Sequence, residues 1–164
     1  MRYFAYGSNM SLRRLRARVA SAVRLDNASL YGHRLRFHKR GRDGSAKCDA
    51  QQTGDPAHRV LGVVFEIAGA EKPDLDRYEG VGLGYVTQTV QLTLSNGDQL
   101  EAYTYIATLI DSALRPFAWY KEHVLRGALE NHLDADYIQA IHHIAADIDP
   151  DPEREARELA IYRL

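Results

Sequence analysis

The chain has 164 residues, of which 45% are hydrophobic and 26% charged, close to the averages of folded globular proteins. This length suits one hydrophobic core, so we predict a single domain over residues 1–164. Its 21 basic and 22 acidic side chains give a formal net charge of -1, which excludes a long-range field that would attract nucleic acid or an anionic membrane.

The sequence also carries signals of cellular location. Residues 1–14, MRYFAYGSNMSLRR, have too short an apolar run for a signal peptide, and no stretch reaches the ~20 apolar residues of a membrane span. The single cysteine, Cys48, cannot form an internal disulfide, which suits a reducing compartment. We therefore expect a cytoplasmic protein that binds neither membranes nor nucleic acid.

The first predicted element is a buried strand over residues 2–6, which ends at a Gly-Ser-Asn turn. Residues 11–20 then place leucine and valine at helical spacing, with four arginines around them, so we predict a helix with a solvated arginine face. Residues 60–67 are predicted to form a strand. A short helix over residues 71–81 follows, with a proline in its first turn and a glycine at its end, Gly80 or Gly82.

The second half begins with a hairpin signal. Residues 85–94 and 99–108 flank an Asn-Gly turn, which predicts an antiparallel pair. Two helices are predicted beyond Pro116, then an acidic surface connection over residues 147–155 and a short last segment over residues 157–164. Strands thus dominate the first two thirds and helices follow, which indicates an α+β fold: a mixed, mainly antiparallel sheet closed as a small barrel, with helices outside.

The turn Tyr6-Gly7-Ser8-Asn9 joins the first strand to the first helix, and two interpretations of it are open. Its amides lie at a helix N-terminus, where carboxylates and carbonyl oxygens bind favourably, and Gly7 allows a ligand to approach the backbone closely. Alternatively, Gly7 only ends the strand, and a polar side chain of the turn, or Ser11, caps the helix.

The predicted helix over residues 71–81 carries four carboxylates, and Glu79 differs from the other three. At about 100° per residue, Glu79 lies about 40° from Leu75 within an apolar face that also includes Tyr78, whereas Asp74 and Asp76 lie nearer to water. Burial raises the pKa of a carboxyl group and makes it a better proton acceptor, as a general base requires. The alternative is that Glu79 caps a loop or pairs with an arginine such as Arg77 or Arg59, and the residues alone leave both interpretations open.

Other candidate sites are weaker. The seven histidines form no compact pair at ligand spacing with a nearby cysteine, so we predict no metal site. Ser8 lacks the G-x-S-x-G context of a serine nucleophile. The basic segment over residues 34–42 is predicted to be a polar strand and loop, and Tyr120 shares an apolar helix side with Phe117 and Val124.

Four segments, in order and spacing, resemble the γ-glutamylcyclotransferases, including the AIG2-like proteins. YFAYGSNM, residues 3–10, resembles the substrate loop of that family, and LYGHRLRF, residues 30–37, its second strand segment. LGVVFEI, residues 61–67, resembles the strand before the catalytic helix. LDRYEGVGLGY, residues 75–85, then carries the matching acid, Glu79.

The resemblance implies a small mixed β-barrel with surrounding helices and a cofactor-independent intramolecular aminoacyl transfer that converts an L-γ-glutamyl amino acid or amide to 5-oxoproline. The only partner it implies is this small molecule, for a monomer or homodimer. GSAKCDA, residues 44–50, is similar to only some members, so Lys47 and Asp49 are candidates for an influence on substrate choice. The resemblance assigns Glu79 as the general acid/base and six residues to substrate binding: Tyr3, Tyr6, Gly7, Ser8, Asn9 and Tyr120.

Two alternatives are compatible with the sequence. One is the same chemistry on γ-glutamylamines or on a γ-glutamyl group that protects a biosynthetic intermediate. The other is a non-catalytic module that binds a small molecule. Glutathione is a less favoured substrate, because the glutathione enzymes of this type begin with an FGYGSL-like loop.

Overall fold

The computed structural model describes residues 1–163, and it contains seven strands and five helices in that range. The strands are β1 (Arg2–Ala5), β2 (Val23–Tyr31), β3 (His33–Arg40), β4 (Ala46–Gln52), β5 (Arg59–Glu66), β6 (Tyr85–Leu94) and β7 (Gln99–Ala107). The helices are α1 (Leu12–Arg16), α2 (Lys72–Glu79), α3 (Ala118–Glu130), α4 (Ala135–His142) and α5 (Pro152–Leu159).

Five strands form a closed barrel in the order β1-β5-β2-β6-β7, and β3 and β4 form a separate antiparallel pair. All barrel pairings are antiparallel except the contact of β1 with β7 at Tyr3 and Tyr103. Because both edges of β1 are paired, this strand is buried, and its short apolar run is typical of such a position. The predicted α+β barrel with surrounding helices is confirmed.

Local turn signals locate two of the elements well. The Asn96-Gly97 turn joins β6 and β7, and Gly97 has the positive φ of 90° that glycine adopts most readily. Helix α2 ends at Gly80, which is in the left-handed conformation with φ 72°. Both sequence predictions, the hairpin and the helix with its glycine end, are confirmed.

The arginine-rich helix differs from its prediction. Helix α1 has only five residues, and Arg14 and the Arg18 side chain just beyond its end are largely buried, with exposed fractions of 8% and 16%. The predicted solvated arginine face is therefore wrong for these two residues. They are covered because Glu158 and Glu79, from distant parts of the chain, pair with them.

The C-terminal region also differs. Helix α5 begins at Pro152, inside the segment predicted to be a surface connection. Proline is compatible with the first turn of a helix, where no amide donor is needed, and the Asp151 side chain caps the helix by accepting from the Arg154 amide at 3.0 Å. The last residue of the predicted terminal segment, 164, lies outside the described residues. Within residues 1–163, no helix is both long enough and apolar enough to span a membrane.

Candidate active site

The turn that follows β1 leads into a short 3-10 turn, Ser8–Met10, in which all three residues are buried. Ser11, at the N-cap of α1, makes no side-chain capping bond and donates instead to Glu130. Asn9 points away from the helix to Tyr3 and Glu79. The interpretation of this turn as a side-chain helix cap is therefore wrong.

Glu79, the last residue of α2, is held by two donors from the N-terminal region. Asn9 Nδ2 donates to Glu79 Oε1 at 2.9 Å, and Arg18 NH1 donates to the same oxygen at 2.6 Å. Arg18 NH1 also donates to Asn9 Oδ1 at 3.0 Å, so the three side chains form a closed triangle. Within residues 1–163, Glu79 Oε2 accepts no hydrogen bond, which leaves one carboxylate oxygen for another ligand.

Arg18 is a site residue that the sequence interpretation missed. The ion-pair alternative for Glu79 named Arg77 and Arg59, but Arg77 pairs with Asp74 at 3.0 Å and Arg59 with Asp134 at 3.9 Å. The available signal was spacing, because Arg18 lies three residues after the fully buried Leu15 and so projects near the same helix side.

The predicted orientations of two side chains of α2 are also wrong. Tyr78, predicted to join the apolar face, is 59% exposed and lies against the Arg18 guanidinium, 5.4 Å from its ring centroid. Asp76, predicted to be solvated, accepts from Lys72 Nζ at 2.6 Å and from the Tyr105 hydroxyl at 2.7 Å. Helical spacing gives the angle of each side chain around the helix axis, but it does not show which barrel side chains contact that position.

All seven predicted site residues line one narrow cavity of about 20 Å³, here called the inner cavity. A space of this size holds one or two water molecules. The cavity lies where β1 ends, against α2 and α3. Its lining consists of the predicted Tyr3, Tyr6, Gly7, Ser8, Asn9, Glu79 and Tyr120, together with Cys48, Tyr85 and Tyr105.

Tyrosine hydroxyls of the inner cavity fix its backbone. Tyr120 accepts from the Cys48 amide at 3.0 Å, Tyr85 donates to the Cys48 carbonyl, and Tyr6 donates to the Tyr105 carbonyl. Burial raises the pKa of Tyr6, Tyr85 and Tyr120 well above its ordinary value, so these phenols stay neutral. They can donate or accept a hydrogen bond without adding charge to the cavity.

Gly7 and Cys48 meet at the wall of the inner cavity. A Cβ on Gly7 would lie 3.0 Å from Cys48 Cβ, so only glycine allows this approach without a shift. Burial raises the pKa of the Cys48 thiol to about 12, which keeps it protonated and unsuited to nucleophilic attack. Within residues 1–163, the amides of Gly7 and Ser8 donate no hydrogen bond, and both residues line the cavity.

A larger cavity of about 450 Å³, here called the outer cavity, adjoins the inner one and shares Ser8, Glu79, Tyr85 and Tyr120 with it. Among residues 1–163, its lining includes two carboxylates, Glu79 and Asp43. Its cations are Arg14, Arg18, Lys39, Arg40, Arg42 and Lys47. The outer cavity is therefore positively charged.

Lys47 and Asp49, the two candidates for an influence on substrate choice, have separate positions. Lys47 lines the outer cavity. Asp49 lines neither cavity; its buried carboxylate pairs with His38 Nε2 at 2.8 Å and accepts from the Ala107 amide at 2.8 Å, which ties β3, β4 and β7 together. Within the described range, no group of three or more histidine, cysteine or acidic side chains is arranged to hold a metal ion.

Comparisons with known proteins identify one family. The sequence profile of the AIG2-like family matches residues 59–141. The gamma-glutamylcyclotransferase of Homo sapiens is 31% identical over 149 residues, which cover 85% of this chain and 76% of the human protein. The Mus musculus gamma-glutamylcyclotransferase is 33% identical over 147 residues, which cover 85% of this chain and 76% of the mouse protein.

A solved structure of a gamma-glutamyl cyclotransferase superposes with a TM-score of 0.84 at 26% identity, over 99% of this chain and 98% of that one. The family match includes all of α2 and α3, the helices that carry Glu79 and Tyr120. Sequence and structure comparisons thus agree over most of the chain. The chain belongs to the AIG2-like family and, within it, to the γ-glutamylcyclotransferase enzymes.

Proposed function

We propose that this enzyme converts an L-γ-glutamyl amino acid or amide to 5-oxoproline and a free amino acid or amine, with Glu79 as the general acid/base. The observation that carries the proposal is the position of Glu79 at the junction of the two cavities, with Oε1 held by two donors and Oε2 free. A general base needs both features, a fixed orientation and a free lone pair directed at the substrate.

The reaction requires little beyond positioning and proton transfer. The substrate's α-amino nitrogen attacks its own γ-carbonyl carbon, the five-membered ring closes, and the C–N bond to the leaving group breaks. Because both reacting groups belong to one molecule, a pocket that holds the bent form lowers the barrier by several kcal/mol, up to roughly 7 to 11 in well-oriented cases. The outer cavity of about 450 Å³, which meets the inner cavity at Glu79, has room for such a substrate.

Glu79 would handle both proton transfers. Free α-amino groups titrate near ~8, so a large share is protonated at neutral pH and cannot attack. Glu79 Oε2 accepts a proton from this amine and later returns one to the leaving nitrogen. Arg18 and Asn9 keep the carboxylate oriented between these steps.

The carbonyl oxygen needs donors as negative charge develops on it. The Gly7 and Ser8 amides line the inner cavity without an intramolecular acceptor in the described residues, so we propose that they receive this oxygen or the substrate carboxylate. The cavities combine side chains of the barrel, the β3–β4 pair and α3, which supports our proposal that residues 1–164 act as one domain.

The test replaces Glu79 with Gln, which keeps the shape and both hydrogen-bond positions but removes the base. We expect 5-oxoproline formation to fall by at least about a hundredfold. The matched control is Asp74→Asn on the same helix, whose side chain is half exposed and pairs only with the exposed Arg77. Near-normal turnover by the Glu79→Gln protein, or an equal loss in both variants, would contradict the assignment.

A further inference from the structure

Lys39 is a buried cation without a partner in the wall of the outer cavity. The residue is only 6% exposed, yet no ion pair or hydrogen bond of its Nζ is found among residues 1–163. Its ammonium lies 4.6 Å from the centroid of the Tyr85 ring, which faces both cavities. Buried charges are normally paired, so a cation left open toward a cavity indicates a site for an anion.

The strand geometry directs Lys39 into the cavity. The pairing of β3 with β4 shifts between Phe37 and Lys39, which marks a β-bulge at His38. Successive strand residues normally point to opposite faces, but His38 and Lys39 are both buried. The bulge is fixed from the far side, since the Asp111 amide donates to the His38 carbonyl at 2.8 Å.

Gly84, which has no side chain, leaves space for the Lys39 side chain. A Cβ on Gly84 would lie 2.7 Å from Lys39 Cε and 3.0 Å from its Nζ. The ammonium is thus confined between Gly84 and the Tyr85 ring. Such confinement lowers the entropy lost when an anion binds.

The neighbouring lysine shows what a paired cation in this wall looks like. Lys47 lies opposite Lys39 in the β3–β4 register, but its Nζ donates to Asp43 at 2.7 Å. Like charges directly opposite on a sheet are unfavourable, so the pair of lysines has a cost. Asp43 accepts a hydrogen bond from Lys47, whereas it acts on the Lys39 charge only at longer range. Burial lowers the pKa of Lys39 and nearby Arg42 adds to this, while Glu79 opposes them; an incoming carboxylate would stabilise the charged ammonium further.

We propose that Lys39 binds the carboxylate of the amino acid released from the substrate and thereby determines specificity for the leaving group. This inference rests on the proposed function. The γ-glutamyl part must lie beside Glu79 and the Gly7 and Ser8 amides, where the outer cavity meets the inner one. The group attached through the γ-amide then extends into the outer cavity, where Lys39 is the buried cation without a protein anion among the described residues.

The test compares L-γ-glutamyl-L-alanine with L-γ-glutamyl-L-alaninamide, which differ only in the charge of the leaving group's carboxyl end. We expect the unmodified enzyme to prefer the carboxylate by at least about tenfold in kcat/KM, mainly through KM. Lys39→Met should abolish the preference by raising KM for the carboxylate and leaving the carboxamide nearly unchanged. Lys39→Arg should keep part of it.

The control is Arg36→Met, which removes one positive charge from the exposed side of the same strand and should retain the full preference. Thermal melts of all variants check that they fold. A preference that survives in the Lys39→Met protein, or a loss that is equal for both substrates, overturns the inference and leaves the proposed function intact.

Ligand binding distinguishes failure of the Lys39 inference from failure of the proposed function. The same two ligands are titrated calorimetrically against Glu79→Gln and against the double variant Glu79→Gln/Lys39→Met. If the unmodified enzyme forms no 5-oxoproline but the carboxylate still binds more tightly in a Lys39-dependent way, the proposed function fails and the Lys39 site stands. Equal binding of the two ligands to Glu79→Gln, or no binding of either, overturns the Lys39 inference.

Discussion

Arg14 and Arg18 are four positions apart, and each pairs with a glutamate at 2.6 Å, yet the surroundings of the two ion pairs differ. Arg14 reaches Glu158 of α5 and also donates to His123 Nε2 of α3 at 2.9 Å, so it connects three helices. Arg18 reaches Glu79, which lines both cavities. Two ion pairs of equal length thus have different surroundings, and we expect these surroundings, not the distance, to determine the role of each pair.

If Arg14, Glu158 and His123 have a structural role, the titration of His123 should change the free energy of unfolding. Burial lowers the pKa of His123 to about 4, while its Nδ1 hydrogen bonds the Tyr162 hydroxyl at 2.8 Å and its Nε2 accepts from Arg14. The unfolded chain, with an ordinary histidine pKa near ~6.5, then binds more protons than the folded protein between about pH 6.5 and 4. Stability should fall by about 3 kcal/mol as pH decreases through this window.

Urea unfolding at several pH values measures this loss. His123→Gln should flatten the pH dependence in that window, because the group that must stay neutral is gone. Below about pH 4.5 a further loss is expected from Glu158, whose pKa is lowered to about 2 by its contacts with His123 and Arg14 despite the opposing effect of burial. An unchanged slope in His123→Gln would show that another group controls acid unfolding.

Arg14→Met is the next largest change. It leaves Glu158 and His123 without their shared donor. Removing one partner of a fully buried pair costs about 3–5 kcal/mol, and because Glu158 is about a third exposed we expect about 2 kcal/mol here. The free energy of unfolding, from the urea midpoint and slope, measures it. Arg13→Met, on the exposed side of α1, is the control and should change stability by less than about 0.5 kcal/mol.

Local features of this fold follow from the sequence, whereas contacts between distant residues do not. The apolar run of β1, the Asn-Gly hairpin and the glycine end of α2 are local signals, and the sequence predicted all three. The seven predicted site residues also meet in one cavity. The Glu79–Arg18 pair was missed because it joins residues 61 positions apart, and only the barrel closure determines which arginine is near.

Lys39 was missed for a different reason. The sequence predicts that Lys39 lies on a polar strand. One extra residue at the bulge in β3 changes which side chains are buried. Nothing in the residues 34–42 distinguishes a strand with a bulge from one without. Pairing register depends on the partner strand, so this part of the site required the structure.

Arg18→Met should have the smallest effect on the folding equilibrium and a clear effect on turnover. Glu79 lines both cavities, where water can solvate its carboxylate, and Asn9 still donates to it, so the loss of Arg18 should change stability by no more than about 1 kcal/mol. Asn9 alone then orients Glu79, and we expect kcat/KM for 5-oxoproline formation to fall about tenfold, chiefly through kcat. The control is again Arg13→Met. If Arg18→Met instead destabilises the protein as much as Arg14→Met and leaves kcat unchanged, the two ion pairs have the same structural role and the distinction between them fails.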